Sequence, residues 1–125
     1  MTQTNRGYED LKVWHKAIEL AENIYCITRA FPKEEIYGIV SQMRRSSVSI
    51  ASNIAEGCAR NGVKEFAQFV AIALGSTAEL KTQLIIAGRI GLVETEKLRK
   101  TLEEASIIEK MLVNLRKNIA NTKTT

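Results

Sequence analysis

One proline in 125 residues, Pro32, together with only seven glycines, restricts this chain more than any other feature. An all-β domain of this length needs frequent tight turns, and proline and glycine are among the residues that build them. Here the apolar pattern breaks at three places, Pro32, Asn61-Gly62 and Gly91, and between them apolar residues recur at spacings of three and four. That is the period of amphipathic helices.

The first stretch runs from about Asp10 to Ala30, with Leu11, Trp14, Ile18, Ala21, Tyr25 and Thr28 as its expected buried stripe. Pro32 ends it and suits the first turn of a second helix, whose positive end Glu34 and Glu35 favour. The second seam reads Ile36, Val40, Met43, Ser47, Ile50, Ile54 and Cys58, and the third Val63, Phe66, Val70, Leu74, Thr77, Lys81, Leu84 and Gly88. Thr95 can cap the fourth helix, whose seam of Leu98, Leu102, Ala105, Ile108, Leu112, Leu115 and Ile119 is the most regular. Breaks this short make consecutive helices antiparallel. The pattern therefore predicts an all-α, up-down-up-down four-helix bundle over residues 8–119, with flexible segments at 1–7 and 120–125. A hairpin at Asn61 sets Ser47 opposite Gly75, Ala51 opposite Ala71 and Ala55 opposite Ala67, so the second and third helices should approach closely.

Eighteen Lys and Arg against fourteen Asp and Glu leave a net charge of +4, a mild basic bias. The single histidine, His15, has no second candidate ligand one turn away, and the Glu-x-x-His pairs of di-iron bundles are missing. Cys26 and Cys58 lack close zinc-ligand partners and read as buried, reduced thiols, as suits a cytoplasmic protein. The segment from Gly57 to Lys64 lacks the Gly-Lys-Ser/Thr ending of a phosphate loop, and no strand precedes it. No apolar run approaches the ~18 residues of a membrane span, and the N-terminus lacks a signal-peptide core. No catalytic residue, metal site or cofactor is expected.

The residues that stand out are charged or outward-facing. Arg44 flanks the seam, where Glu79 is a possible salt-bridge partner. Arg45 lies nearly opposite the seam beside Ser49 and Ser52, as a solvated side chain or as an anion contact. Glu56 and Arg60 have the favourable i,i+4 order. Arg45, Arg60 and Lys64 are the candidate nucleic-acid contacts. The third helix is apolar most of the way round, with Phe69, Ile72, Leu80 and Ile86 away from its seam. These are either subunit contacts or scattered surface residues. Arg44, Ser49, Ser52, Phe69, Ile72, Glu79 and Ile86 are accordingly the candidates for interface or structural roles.

Gln42-Met43-Arg44-Arg45-Ser46-Ser47-Val48-Ser49-Ile50, followed by Asn53-Ile54-Ala55-Glu56-Gly57, resembles the signature of a bacterial four-helix-bundle family. Its members include proteins encoded in intervening sequences of large-subunit ribosomal RNA genes. The resemblance extends to Leu11, Val13, Trp14 and Ala17, to Tyr25, Phe31-Pro32 and Tyr37-Gly38, and to Ala73-Leu74-Gly75-Ser76 with Glu79, covering about residues 8–118. It implies a homo-oligomer, typically a five-membered ring. A relative, the accessory variability determinant of diversity-generating retroelements, works with a reverse transcriptase and binds nucleic acid through a basic surface. The resulting expectation is a non-enzymatic scaffold that binds RNA or DNA. The alternative is a protein adaptor, for example for a polymerase or reverse transcriptase, without direct nucleic-acid contact.

Overall fold

The computed structural model describes residues 7–122, so of the two expected flexible segments residues 1–6 and 123–125 lie outside the described residues. Four helices carry the fold: α1 Lys12–Thr28, α2 Ser41–Ala59, α3 Val63–Arg89 and α4 Thr95–Thr122. α1 packs against α2 and α4, and α3 packs against the same two, which is the neighbour pattern of an antiparallel four-helix bundle. Leu20, Ile24, Met43, Ile50, Ile54, Val70, Leu80, Leu84, Ile108 and Leu112 fill its centre and are essentially inaccessible to solvent. Each such side chain contributes about 1.5–3 kcal/mol through removal from water.

The breaks have identifiable causes. At the end of α3, Gly91 takes a φ of 85°, a left-handed conformation that glycine adopts without steric cost. The Leu92 N–H donates to the Ala87 carbonyl at 2.8 Å, and the Gly91 N–H to the Gly88 carbonyl at 3.1 Å. These two bonds are a Schellman cap, which satisfies carbonyls the helix end would leave open. Between α2 and α3 the link is stretched rather than tight, with Arg60 extended and Gly62 at φ 141°.

That stretch changes the register. Ser46 reaches Gln83, Ser49 reaches Ser76, and Gly57 lies against Phe69, a shift of about one helical turn from the pairing a tight Asn61 hairpin predicts. Gly75, expected to face Ser47, is instead exposed and has open space where a side chain would be. The close approach exists, but it is made by Gly57. A Cβ there would sit 2.5 Å from the Cβ of Phe69 and 3.2 Å from Cδ1 of Phe66.

Two further expectations are corrected. In α1 the buried residues are Val13, Ala17, Leu20, Ile24, Ile27 and Thr28. Thr28 is buried as expected, but the first five each precede by one residue the position expected from the sequence, a rotation of about 100°. α1 is apolar on two adjacent faces, and the second, with Trp14, Ile18 and Tyr25, is left half-buried or exposed. The second helix does not run unbroken from Pro32. Lys33–Glu35 form a 3-10 turn and Ile36–Val40 a π turn in which Gly38 is non-helical, so Ile36 is exposed rather than in the seam. From Val40 onward the expected seam of Met43, Ser47, Ile50 and Ile54 is buried.

The buried hydroxyls are satisfied. The Ser46 hydroxyl donates to Gln83 Oε1 at 2.8 Å, and those of Thr77 and Thr101 donate to carbonyls one turn back at 2.8 Å. Leu80 is fully buried and Phe69 half-buried, so neither projects from the bundle as the wheel suggested. Ile72 and Ile86 do project, at 49% and 47% exposure. By length and composition α3 alone among the described helices is apolar enough to cross a membrane, with a mean hydropathy of 1.3. Here its apolar residues are shared between the interior and the outer surface.

Gly57→Ala should destabilise the fold by about 1–3 kcal/mol, because backbone or Phe69 must move to admit the methyl. Gly75→Ala, with open space around it in a helix interior, should stabilise the protomer by about 0.5–1 kcal/mol. Denaturant unfolding of the two variants checks both. Equal effects would show that Gly57 does not set the α2–α3 approach.

Candidate functional site

Arg44 and Arg45 are consecutive on α2, and the burial of the preceding Met43 in the core fixes the rotation of the helix that presents them. Adjacent helical positions diverge by about 100°, so the two guanidiniums take different environments. Arg44 turns toward α1, where its Nε donates to Thr28 Oγ1 at 2.9 Å and its guanidinium lies 4.5 Å from the centre of the Tyr25 ring. The Thr28 hydroxyl in turn donates to the Ile24 carbonyl at 2.7 Å. Arg44 is thereby held by α1 and not by Glu79, which is exposed on α3. The pairing expected from the sequence fails because the true register moves Glu79 outward. Arg45 is exposed and has no ion pair among the described residues.

Both arginines line a groove of about 730 Å³ between α1, the Ile36–Val40 turn and α2. Tyr25, Ile36, Tyr37 and Val48 supply its apolar and aromatic surface, and Ser41, Ser49, Ser52 and Asn53 its neutral polar groups. No carboxylate lines it, so the two positive charges are not compensated there. Ser49 is held inside, bonded at 2.8 Å to Ser76 and accepting from Asn53 Nδ2 at 2.9 Å. Ser52 is exposed.

A smaller apolar groove continues from this one through Val48 and Ser52, between Tyr8, Trp14, Ile18 and Ala21 on one side and Ala51 and Ala55 on the other. Tyr8 and Trp14 pack with ring centres 5.0 Å apart, and His15 Nε2 lies 2.8 Å from the Glu9 carbonyl oxygen. His15 therefore closes the turn before α1.

The other candidate cations are elsewhere. Arg60 lies beyond the far end of α2, about 20 Å along the axis from Arg45 at ~1.5 Å per residue. It pairs with Glu56 at 2.7 Å and lies over the Phe69 ring at 5.2 Å, so its charge is largely answered locally. Lys64 is exposed in the first turn of α3. The structure thus unites Arg44, Arg45, Ser49 and Ser52 in one groove and leaves Arg60, Lys64, Ile72, Glu79 and Ile86 outside it.

Among the described residues no group of three or more His, Cys, Asp or Glu is arranged to hold a metal. Cys26 is exposed, against the expectation of burial, because the rotation of α1 carries it outward with Tyr25. Cys58 is half-buried, and burial raises its thiol pKa. The residue that sequence reasoning did not single out as a site is Tyr37, which is 97% exposed. Its signal was available: an aromatic beside Gly38, close after Pro32, where a helix is most easily interrupted.

Residues 9–114 match the 23S rRNA-intervening sequence protein family. The chain belongs to that family. Among solved structures it is similar to a protein of unknown function from the S23 ribosomal protein family of Bacteroides thetaiotaomicron, with a TM-score of 0.79 at 24% identity, covering 84% of this chain and 95% of that one. At this identity the likeness establishes the fold. A search of curated proteins finds no match.

Arg44→Ala should lower stability by about 1–2 kcal/mol through loss of the Thr28 bond and the Tyr25 contact. Arg45→Ala should change protomer stability by no more than about 0.5 kcal/mol. Denaturant titration separates them, and equal losses would contradict the asymmetry described. Thiol labelling should be biphasic. Cys26 should react promptly and Cys58 slowly, its raised pKa lowering the thiolate fraction near neutrality until pH approaches that pKa. Simultaneous modification would show that the environments do not differ.

Proposed function

We propose that this family member is a non-enzymatic, homo-oligomeric scaffold that binds the phosphate backbone of RNA or DNA at the α1–α2 groove. The observation that carries the reading is the pairing of Arg44 and Arg45 in a groove of about 730 Å³ with no carboxylate among its lining residues. Arg44 is pre-positioned by Thr28 and Tyr25, so little side-chain freedom is lost on binding, while Arg45 is free to move. Arg60 and Lys64 serve as outlying contacts on the longer path a polymer would follow. The role requires no metal or cofactor, and a cytoplasmic location suits it.

Self-association is supported by two separate apolar surfaces. One is the Trp14, Ile18 and Ala21 groove on α1, and the other comprises Ile72, Ile86 and Ile90 on and just after α3. Two different patches on one protomer suit a head-to-tail ring, in which each interface joins unlike surfaces. In a pentamer, five copies of +4 give a net charge of about +20, and weak phosphate contacts reinforce one another through effective concentration. The same apolar surfaces favour a second reading, an adaptor that contacts a polymerase or reverse transcriptase without touching nucleic acid.

Arg45→Ala should leave the mass by light scattering unchanged, weaken nucleic-acid binding and reduce the salt slope by about one unit per contact engaged. A fall in subunit number would assign Arg45 to an interface. Wild-type affinity and slope in the variant would remove the groove from the reading. Ile72→Glu combined with Ile86→Glu should reduce the mass toward that of one protomer, and an unchanged mass would rule out the α3 surface as a subunit contact.

A further inference from the structure

We infer that the groove takes an unpaired nucleotide, its base stacked on Tyr37 and its phosphate on Arg45, so that the protein prefers single-stranded over duplex nucleic acid. This rests on the reading of the groove as a phosphate site and goes further by naming the form of nucleic acid that fits.

Tyr37 is 97% exposed, so its ring is open on both faces and makes no contribution to the packed core. An aromatic ring placed this way is a stacking platform, and every base offers it a π-face. Tyr37 lines the same groove as Arg44 and Arg45, with Ile36 and Val48 providing apolar surface beside it and the Ser41 and Ser52 hydroxyls available to base edges. The groove's ~730 Å³ falls within the ~300–1,000 Å³ typical of sites for ligands of small-molecule size, enough for one nucleotide. In a duplex the base faces are already stacked on one another, so only the phosphate contact would remain. Stacking against aromatic rings with phosphate held by cations is the combination used for single strands. The hydroxyls and Asn53 allow many hydrogen-bond patterns, so weak sequence preference follows.

The test uses fluorescence anisotropy with labelled oligo(U) and oligo(dT) twelve-mers and with a hairpin duplex carrying as many phosphates. Wild type should bind the single strands more tightly than the duplex. Tyr37→Ala should weaken single-strand binding roughly five- to a hundredfold, leave duplex binding and the salt slope unchanged, and Tyr37→Phe should retain affinity. Arg45→Ala should instead lower the slope for both. Oligo(U) and oligo(dT) binding with the same Tyr37 dependence marks the shared base-and-phosphate chemistry, and a difference confined to oligo(U) marks a 2′-hydroxyl contact added to it. Wild-type affinity in Tyr37→Ala, with Arg45 dependence intact, overturns the stacking site and leaves the phosphate reading standing. No binding by wild type to any probe overturns both. Equal weakening of single strand and duplex, displacement by poly-glutamate as effective as by oligo(U), or a changed light-scattering mass in Tyr37→Ala would each overturn the proposal. Thermal unfolding controls for folding, and the exposure of Tyr37 predicts an unchanged midpoint.

Discussion

The contact at Gly57 is the constraint on which the arrangement of α2 and α3 depends. Only a residue without a side chain lets α3 bring Phe69 and Phe66 against the α2 backbone there. With that end fixed, helical periodicity carries the contact upward to Ser49 with Ser76 and then Ser46 with Gln83, both with polar groups satisfied. Ser46, Ser47 and Ser49 are thereby explained by packing. They are small enough for close helices, and their hydroxyls bond within the interior or to a neighbouring turn.

With α3 on one side, α2 has its other side free for α1, and the rotation of α1 decides what the surface looks like. Burying Val13, Ala17, Leu20, Ile24 and Ile27 leaves Trp14, Ile18 and Tyr25 outward. Tyr25 then serves as the wall against which Arg44 lies, and Arg45 is left on the open side of the same groove. The site is a by-product of core packing one layer below it. Altering the buried stripe of α1 would move Tyr25 and Thr28 together, and with them the arginine they hold.

Much of the fold was legible in the sequence, and the exceptions share a cause. α4 has one apolar face, so its period also gave its phase, and Ala105, Ile108, Leu112 and Ile119 are buried as the seam requires. α1 has two adjacent apolar faces, and periodicity alone leaves its rotation open by about one residue. The α2–α3 register failed because a link with extended residues was read as a tight turn. Gly38 was read through because a single glycine inside a helical pattern is often tolerated. For the site, the i,i+4 pair of Glu56 and Arg60 and the outward position of Arg45 were readable from the wheel. The attachment of Arg44 to Thr28 was not, since it depends on the rotation of α1, a tertiary outcome, whereas the exposure of Tyr37 follows from the interruption that Gly38 signals after Pro32.

The cap at Gly91 bears on which parts of this chain are free to vary. Its two hydrogen bonds join Ala87 to Leu92 and Gly88 to Gly91, so the direction in which α4 leaves α3 is encoded in a few consecutive residues. The outer face of α4, with Lys97, Arg99, Lys100, Glu103 and Lys110, has no part in setting that direction. Its charges can be exchanged, even inverted in sign, while the helix keeps its path. A bundle wired in this way can present different electrostatic faces to its surroundings on one unchanged scaffold.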